Sequence, residues 1–145
     1  MAVSFTNNFK NILDKLRNIL RTEFKGALPV YIGHESQQAS SQFVRLDPIG
    51  SELNEYSISS ETREFTISIF YYFLDKNIKK ASLDHVLRYT SRIEALVHDN
   101  IAMDLADSTR VFNCRVESTE LNTLDEDNEY VVQMVWKGQH LGNAG

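Results

Sequence analysis

The stretch Arg63 to Asp75, "REFTISIFYYFLD", constrains this chain more than any other. It opens as an alternating strand, with Phe65, Ile67 and Ile69 on one face and Thr66 and Ser68 on the other. From Phe70 the polar face disappears, because Phe70, Tyr72 and Leu74 now stand opposite Ile69, Tyr71 and Phe73. A strand with period-two side chains that is apolar on both faces must be covered on both. At about 11 residues it is also long, against a mean near 5 to 6.

Two amphipathic helices are available as cover. Phe5, Phe9, Ile12, Leu13, Leu16, Ile19, Leu20 and Phe24 recur at intervals of three and four, and Ser4 or Thr6 can cap the start. Gly26 and Pro29 end this helix. The second helix starts from Ser82, with Leu83, Val86, Leu87, Thr90, Ile93, Leu96 and Val97 as its expected buried stripe, and ends near Asn100.

Between them, "LPVYIG" and "FVRLDPI" read as strands, the second blocked at Pro48. "HESQQASSQ" and the acidic "GSELNEYSISSET" read as connections, and the ambiguous "IAMDLADST" as one short helical turn. Two last strands, "RVFNCRVESTEL" and "EYVVQMVWKG", are joined across "NTLDEDN". Tyr130, Val132, Met134 and Trp136 share one face of the final strand. The expected order is α-β-β-β-α-β-β. That is an α+β class, with a mixed or antiparallel sheet of about five strands and both helices on one face in two layers. The expected domain is 1–138, with 139–145 as a flexible tail.

The 145 residues suffice for one core, and no apolar run approaches the roughly 20 residues that span a bilayer. The N-terminus lacks the layout of a secretory signal, so the expectation is a soluble protein made in a cytoplasm. Net charge of -5 argues against a general nucleic-acid binder. Charge is unevenly spread. Residues 1–26 hold five bases and two acids, whereas Glu117, Glu120, Asp125, Glu126, Asp127 and Glu129 form an acidic block without a base. Each block is either a solvated face or a charged contact surface.

Catalytic motifs are missing. The glycines are scattered, His34, His85, His98 and His140 lack zinc-protease spacing and read as single surface histidines, and no strained Gly-x-Ser-x-Gly turn occurs. The lone Cys114 sits in an alternating strand and reads as a buried, inert thiol. "DEDNE" lacks the glycine and terminal glutamate of a calcium loop. No enzyme activity, cofactor or metal is expected.

The layout resembles the tail-terminator and tail-completion proteins of long-tailed bacteriophages, with their related minor tail and neck proteins. The features shared are the N-terminal helix, the "PVYIG" strand, "REFTISIFYYF", the helix "LDHVLRYTSRIEALVHDN" and the closing hairpin with its Glu117-Ser118 segment and Trp136. The resemblance implies a virion protein assembled in the host cytoplasm. It implies a homo-oligomeric ring, commonly a hexamer, that caps the tail tube and docks the head connector or neck protein. DNA would pass its channel without specific binding, and no membrane is involved. On this reading Phe70, Tyr71, Tyr72 and Phe73 form a subunit interface. The acidic block lines the channel or pairs with the basic first helix of a neighbour. The alternatives are a neck or head-tail connector adaptor and, outside that class, a small ligand-binding module or an acidic inhibitor-type module.

Overall fold

The computed structural model describes residues 7–25, 27–33, 42–57, 60–74, 82–123 and 130–142. Helix α1 (Asn8–Phe24) is capped by Asn7, whose side-chain oxygen accepts the Lys10 backbone N–H at 3.1 Å. The expected caps Ser4 and Thr6 lie outside the described residues, as does Gly26. Lys25 takes the left-handed C-cap conformation at φ 50° and donates its backbone N–H to Arg21. Helix α2 (Ser82–Asp99) packs on the same side of the sheet.

The strands are β1 (Val30–Ile32), β2 (Gln42–Tyr56), β3 (Glu61–Phe73), β4 (Met103–Asp104), β5 (Arg110–Thr123) and β6 (Tyr130–Gly142). They form one six-stranded sheet in the order β1-β2-β3-β6-β5-β4. The sheet is mixed, because β1 runs parallel to β2 and every other pair is antiparallel. The fold is thus α+β with two helices, and the count of about five strands becomes six through the short β4.

Three boundaries differ from the sequence reading. First, the acidic "GSELNEY" is strand: β2 continues past Pro48 to Tyr56, with register shifts at Pro48/Gly50 and Leu53/Glu55. The reason lies in which edge Pro48 faces. Val44 donates its N–H outward to Pro29 in the β1 segment, so period two turns the N–H position of Pro48 to the same side. β1 reaches only Leu46, and the missing donor therefore costs no ladder bond.

Second, the final strand runs to Gly142 instead of ending at residue 138. Arg63 and Val111 pair with His140 from either side, so residues 139–142 of the expected tail are held in the sheet. His140 is buried there, not on the surface. Third, the buried stripe of α2 is Val86, Thr90, Ile93 and Val97, whereas Leu83 and Leu87 are exposed. Tyr89 takes the position expected of the leucines, stacked between Phe24 at 5.5 Å and Tyr71 at 5.7 Å.

The core lies between the helices and the inner face of the sheet. Phe65, Ile67, Ile69, Tyr71 and Phe73 of β3 meet Val132, Met134 and Trp136 of β6 and Ile12, Leu13, Leu16 and Leu20 of α1. Gly138 is required by this packing. A Cβ there would stand 2.6 Å from Trp136 Cη2 and 2.8 Å from a Val111 methyl, and the indole is fully enclosed. Gly138→Ala is expected to lower stability by about 1–3 kcal/mol, the usual cost of overpacking. Urea denaturation of the two proteins measures it, and an unchanged midpoint would show that the indole can move aside.

Candidate assembly surface

Among the described residues no helix lies on the outer face of the sheet. Strand pairing arranges it in rows across β2, β3, β6 and β5. One row is Phe43, Tyr72, Val131 and Asn122, the next Arg45, Phe70, Gln133 and Glu120, and the third Asp47, Ser68, Val135 and Ser118. Further along, Lys137 pairs with Arg115, and Glu64 with Glu52. The face is therefore aromatic at one end and charged at the other.

At the aromatic end the rings touch each other. Phe43 stacks on Tyr72 at 4.7 Å, Tyr31 meets the Phe43 edge at 5.9 Å, and Phe70 lies 6.2 Å from Tyr72. The Arg45 guanidinium sits over Phe70 at 4.9 Å and Tyr72 at 5.5 Å, an arrangement that favours a cation over an aromatic face. Asp47 holds the same guanidinium at 3.0 Å, so the patch is close to neutral. Tyr31, Phe43, Phe70 and Tyr72 are all half-buried, covered by one another and by neighbours in the sheet.

The four aromatics named from the sequence thus divide by strand parity. Tyr71 and Phe73 point inward and are 0% and 2% exposed, which makes them part of the chain's own core. The Tyr71 hydroxyl donates to Gln42 at 2.8 Å, and burial pushes its pKa up. Only Phe70 and Tyr72 remain on the outer face. Phe43 and Tyr31 join them through pairing that the linear pattern does not reveal.

The acidic block also divides. Glu117 faces Arg115 at 2.8 Å and Lys137 at 3.4 Å on the outer face, and Glu64 takes Arg115 at 3.2 Å. Hydrogen bonding from Arg115 holds the Glu117 carboxyl below the usual range. This part of the block is neutralised within the chain. Glu120 is exposed, and Asp125, Glu126, Asp127 and Glu129 lie outside the described residues.

One polar cluster escaped the sequence reading. Thr109 donates its hydroxyl to Asp107 at 2.5 Å, and its oxygen stands 2.9 Å from His140 Nε2. A carboxylate can only accept, so the Thr109 proton goes to Asp107 and the imidazole must donate to Thr109. That order leaves His140 with no hold on the hydroxyl proton, unlike a base that activates a nucleophile. The cluster instead ties the turn before β5 to β6. Its signal in the sequence was the Asp-x-Thr spacing of an Asx turn, but nothing there joined it to a histidine 31 residues away.

Among the described residues no three His, Cys, Asp or Glu side chains gather as a metal site. Cys114 is buried, and burial pushes its thiol up to about 12. The native protein at pH 8 is expected to leave Ellman's reagent unreacted over hours, with one thiol released in denaturant. Rapid labelling of the native form would mean that β5 opens readily.

No known family model and no curated protein matches the chain. Solved structures do share its fold. A chain from the virion of a native gene transfer agent particle is 10% identical, and the match covers 95% of this chain and 100% of that one at a TM-score of 0.61. A second solved chain is 12% identical, with 94% of this chain and 97% of that one matched at a TM-score of 0.66.

Proposed function

We propose that this chain is a structural component of a phage-like virion, and specifically a tail terminator whose copies close into a ring on the tail tube. The observation that carries the reading is the outer sheet face, which no described helix covers and which is aromatic and nearly neutral at its Tyr72 end. Interface cores favour aromatic residues and arginine, because rings bury large area with few rotatable bonds. The end-to-end likeness to a gene transfer agent virion chain supports a virion setting. On this reading Phe70, Tyr72, Phe43 and Tyr31 contact the next copy, the tube protein and the head-side neck protein are its other partners, and DNA passes the central channel unbound. The role is mechanical, not catalytic. A ring arises when head-to-tail contacts close by rotation, and a sixfold closure is the form proposed.

The test is the mass in solution and the particle shape in negative stain, alone and with tube assembled from the neighbouring tail protein. The wild-type chain is expected to form closed rings. Tyr72→Asp, and Val131→Glu in the same row, should leave folded monomers with unchanged circular dichroism. An unaltered ring in both variants, or a wild-type chain that stays monomeric even with tube present, would overturn the proposal.

A further inference from the structure

The β2–β3 hairpin extends well past the helices. α1 begins over Phe65, with Phe9 edge-on to that ring at 4.8 Å, and runs toward Tyr89 and Tyr71 at the other end. The pair Tyr56–Glu61 lies four residues beyond Phe65, roughly 13 Å at strand rise. This arm exposes Ile49, Leu53 and Tyr56, the last at 67%. Leu53 and Tyr56 share the helix side of the sheet, where no described helix covers them.

The arm is acidic. Residues 47–64 contain five acids and one base. Asp47, Glu61 and Glu64 have basic partners in the chain, but Glu52 and Glu55 make no ion pair among the described residues. α1 with its C-cap, 8–25, carries the opposite balance, five bases and two acids.

Two open hollows lie beside α1 and share Lys15 and Asn18: one of about 250 Å³ between α1 and residues 104–106, and one of about 270 Å³ between α1 and the end of α2, with Ile19 and Leu96 as its floor. Their rim acids already have partners: Asp14 with Lys10 and Arg17, Glu23 with Arg92, Asp104 with Arg110. Lys15 makes no ion pair within contact distance among the described residues, although, behind the contribution of Arg110, its charge helps to hold the Asp104 carboxyl below the usual range. The α1–α2 groove thus offers an apolar floor and, in Lys15, a cation without a direct ion pair, while the rim acids are held by Lys10, Arg17, Arg92 and Arg110.

We infer that the β2–β3 arm of one copy docks edge-on in the α1–α2 groove of the next, so that Tyr56 from its helix-side face reaches the Ile19–Leu96 floor and Glu55 from its other face meets Lys15 on the rim. The occupant is a second copy because the two surfaces match in charge and in apolar content, yet stand at different places on one chain. Two distinct complementary patches give a head-to-tail contact, the kind that can close into a ring. The inference rests on the proposal that copies associate and adds which surfaces meet.

The test is a charge swap read by sedimentation at several concentrations. Glu55→Lys and Lys15→Glu, each alone, are expected to weaken association about tenfold or more. The doubly substituted chain should return to within about threefold of wild type, and Tyr56→Ala should weaken it at least as much as either single change. Unchanged assembly in all of these, while Tyr72→Asp still dissociates the ring, overturns the arm contact and leaves the ring proposal standing. Single losses with no recovery in the double variant overturn the Glu55–Lys15 pairing. A wild-type chain that never assembles removes the ring proposal and this contact together.

Discussion

Strand β3 is hydrogen-bonded on both sides along its full length, to β2 and to β6, and that double pairing governs the rest of the structure. A strand with two occupied edges can vary only in what its faces meet. The inward face, from Phe65 to Phe73, fixes where both helices lie, and each large apolar side chain it fully buries is worth about 1.5–3 kcal/mol. The outward face is constrained more weakly. At its middle Ser68 is buried beneath longer neighbours and accepts a hydrogen bond from Gln133 at 3.2 Å, so even the smallest residue there is covered from within the sheet. Past Ser68 the outward residues become aromatic, and the described residues supply no further layer.

Elements whose periodicity reports burial directly were legible in the sequence. The stripe of α1, the alternation of β6 and the two-faced end of β3 follow from side-chain spacing alone. What stayed hidden depends on which edge or neighbour a residue meets. Pro48, Gly50 and the glutamates of "GSELNEY" have the composition of a loop, and only the open edge of β2 lets them remain in strand. Gly138 resembles a strand end, yet it lies within β6 because the Trp136 ring needs the volume a Cβ would fill. In α2, helical spacing admits either Leu87 or Tyr89 toward the sheet. The Phe24–Tyr89–Tyr71 stack decides in favour of the aromatic, and no local signal encodes it.

The same limit applies to the candidate surface. Sequence parity already separates Tyr71 and Phe73 from Phe70 and Tyr72, since alternate residues cannot share a face. Recruiting Phe43 and Tyr31 requires the β2–β3 register and the parallel pairing of β1 with β2, which are long-range facts. The acidic block was legible as composition but not as electrostatics. Arg115 two residues away on β5 and Lys137 on the neighbouring β6 neutralise Glu117, so a block that looks uniformly negative along the chain is partly balanced in space.

These two ends of the outer face differ in how they can meet another molecule. The charged end satisfies itself, with Glu64, Arg115, Glu117 and Lys137 closing a network among three strands, and removing it from water would cost desolvation without a new partner to compensate. The aromatic end has already lost much of its hydration to ring-on-ring contact, and Arg45 is held flat over it by Asp47. Covering that end therefore costs little ordering and little charge desolvation. A partner that slides over the face gains by settling on the Tyr72 rows and loses by advancing toward Lys137. The gradient along the sheet would thus set position as well as affinity in the proposed ring, where each contact must repeat at one fixed angle.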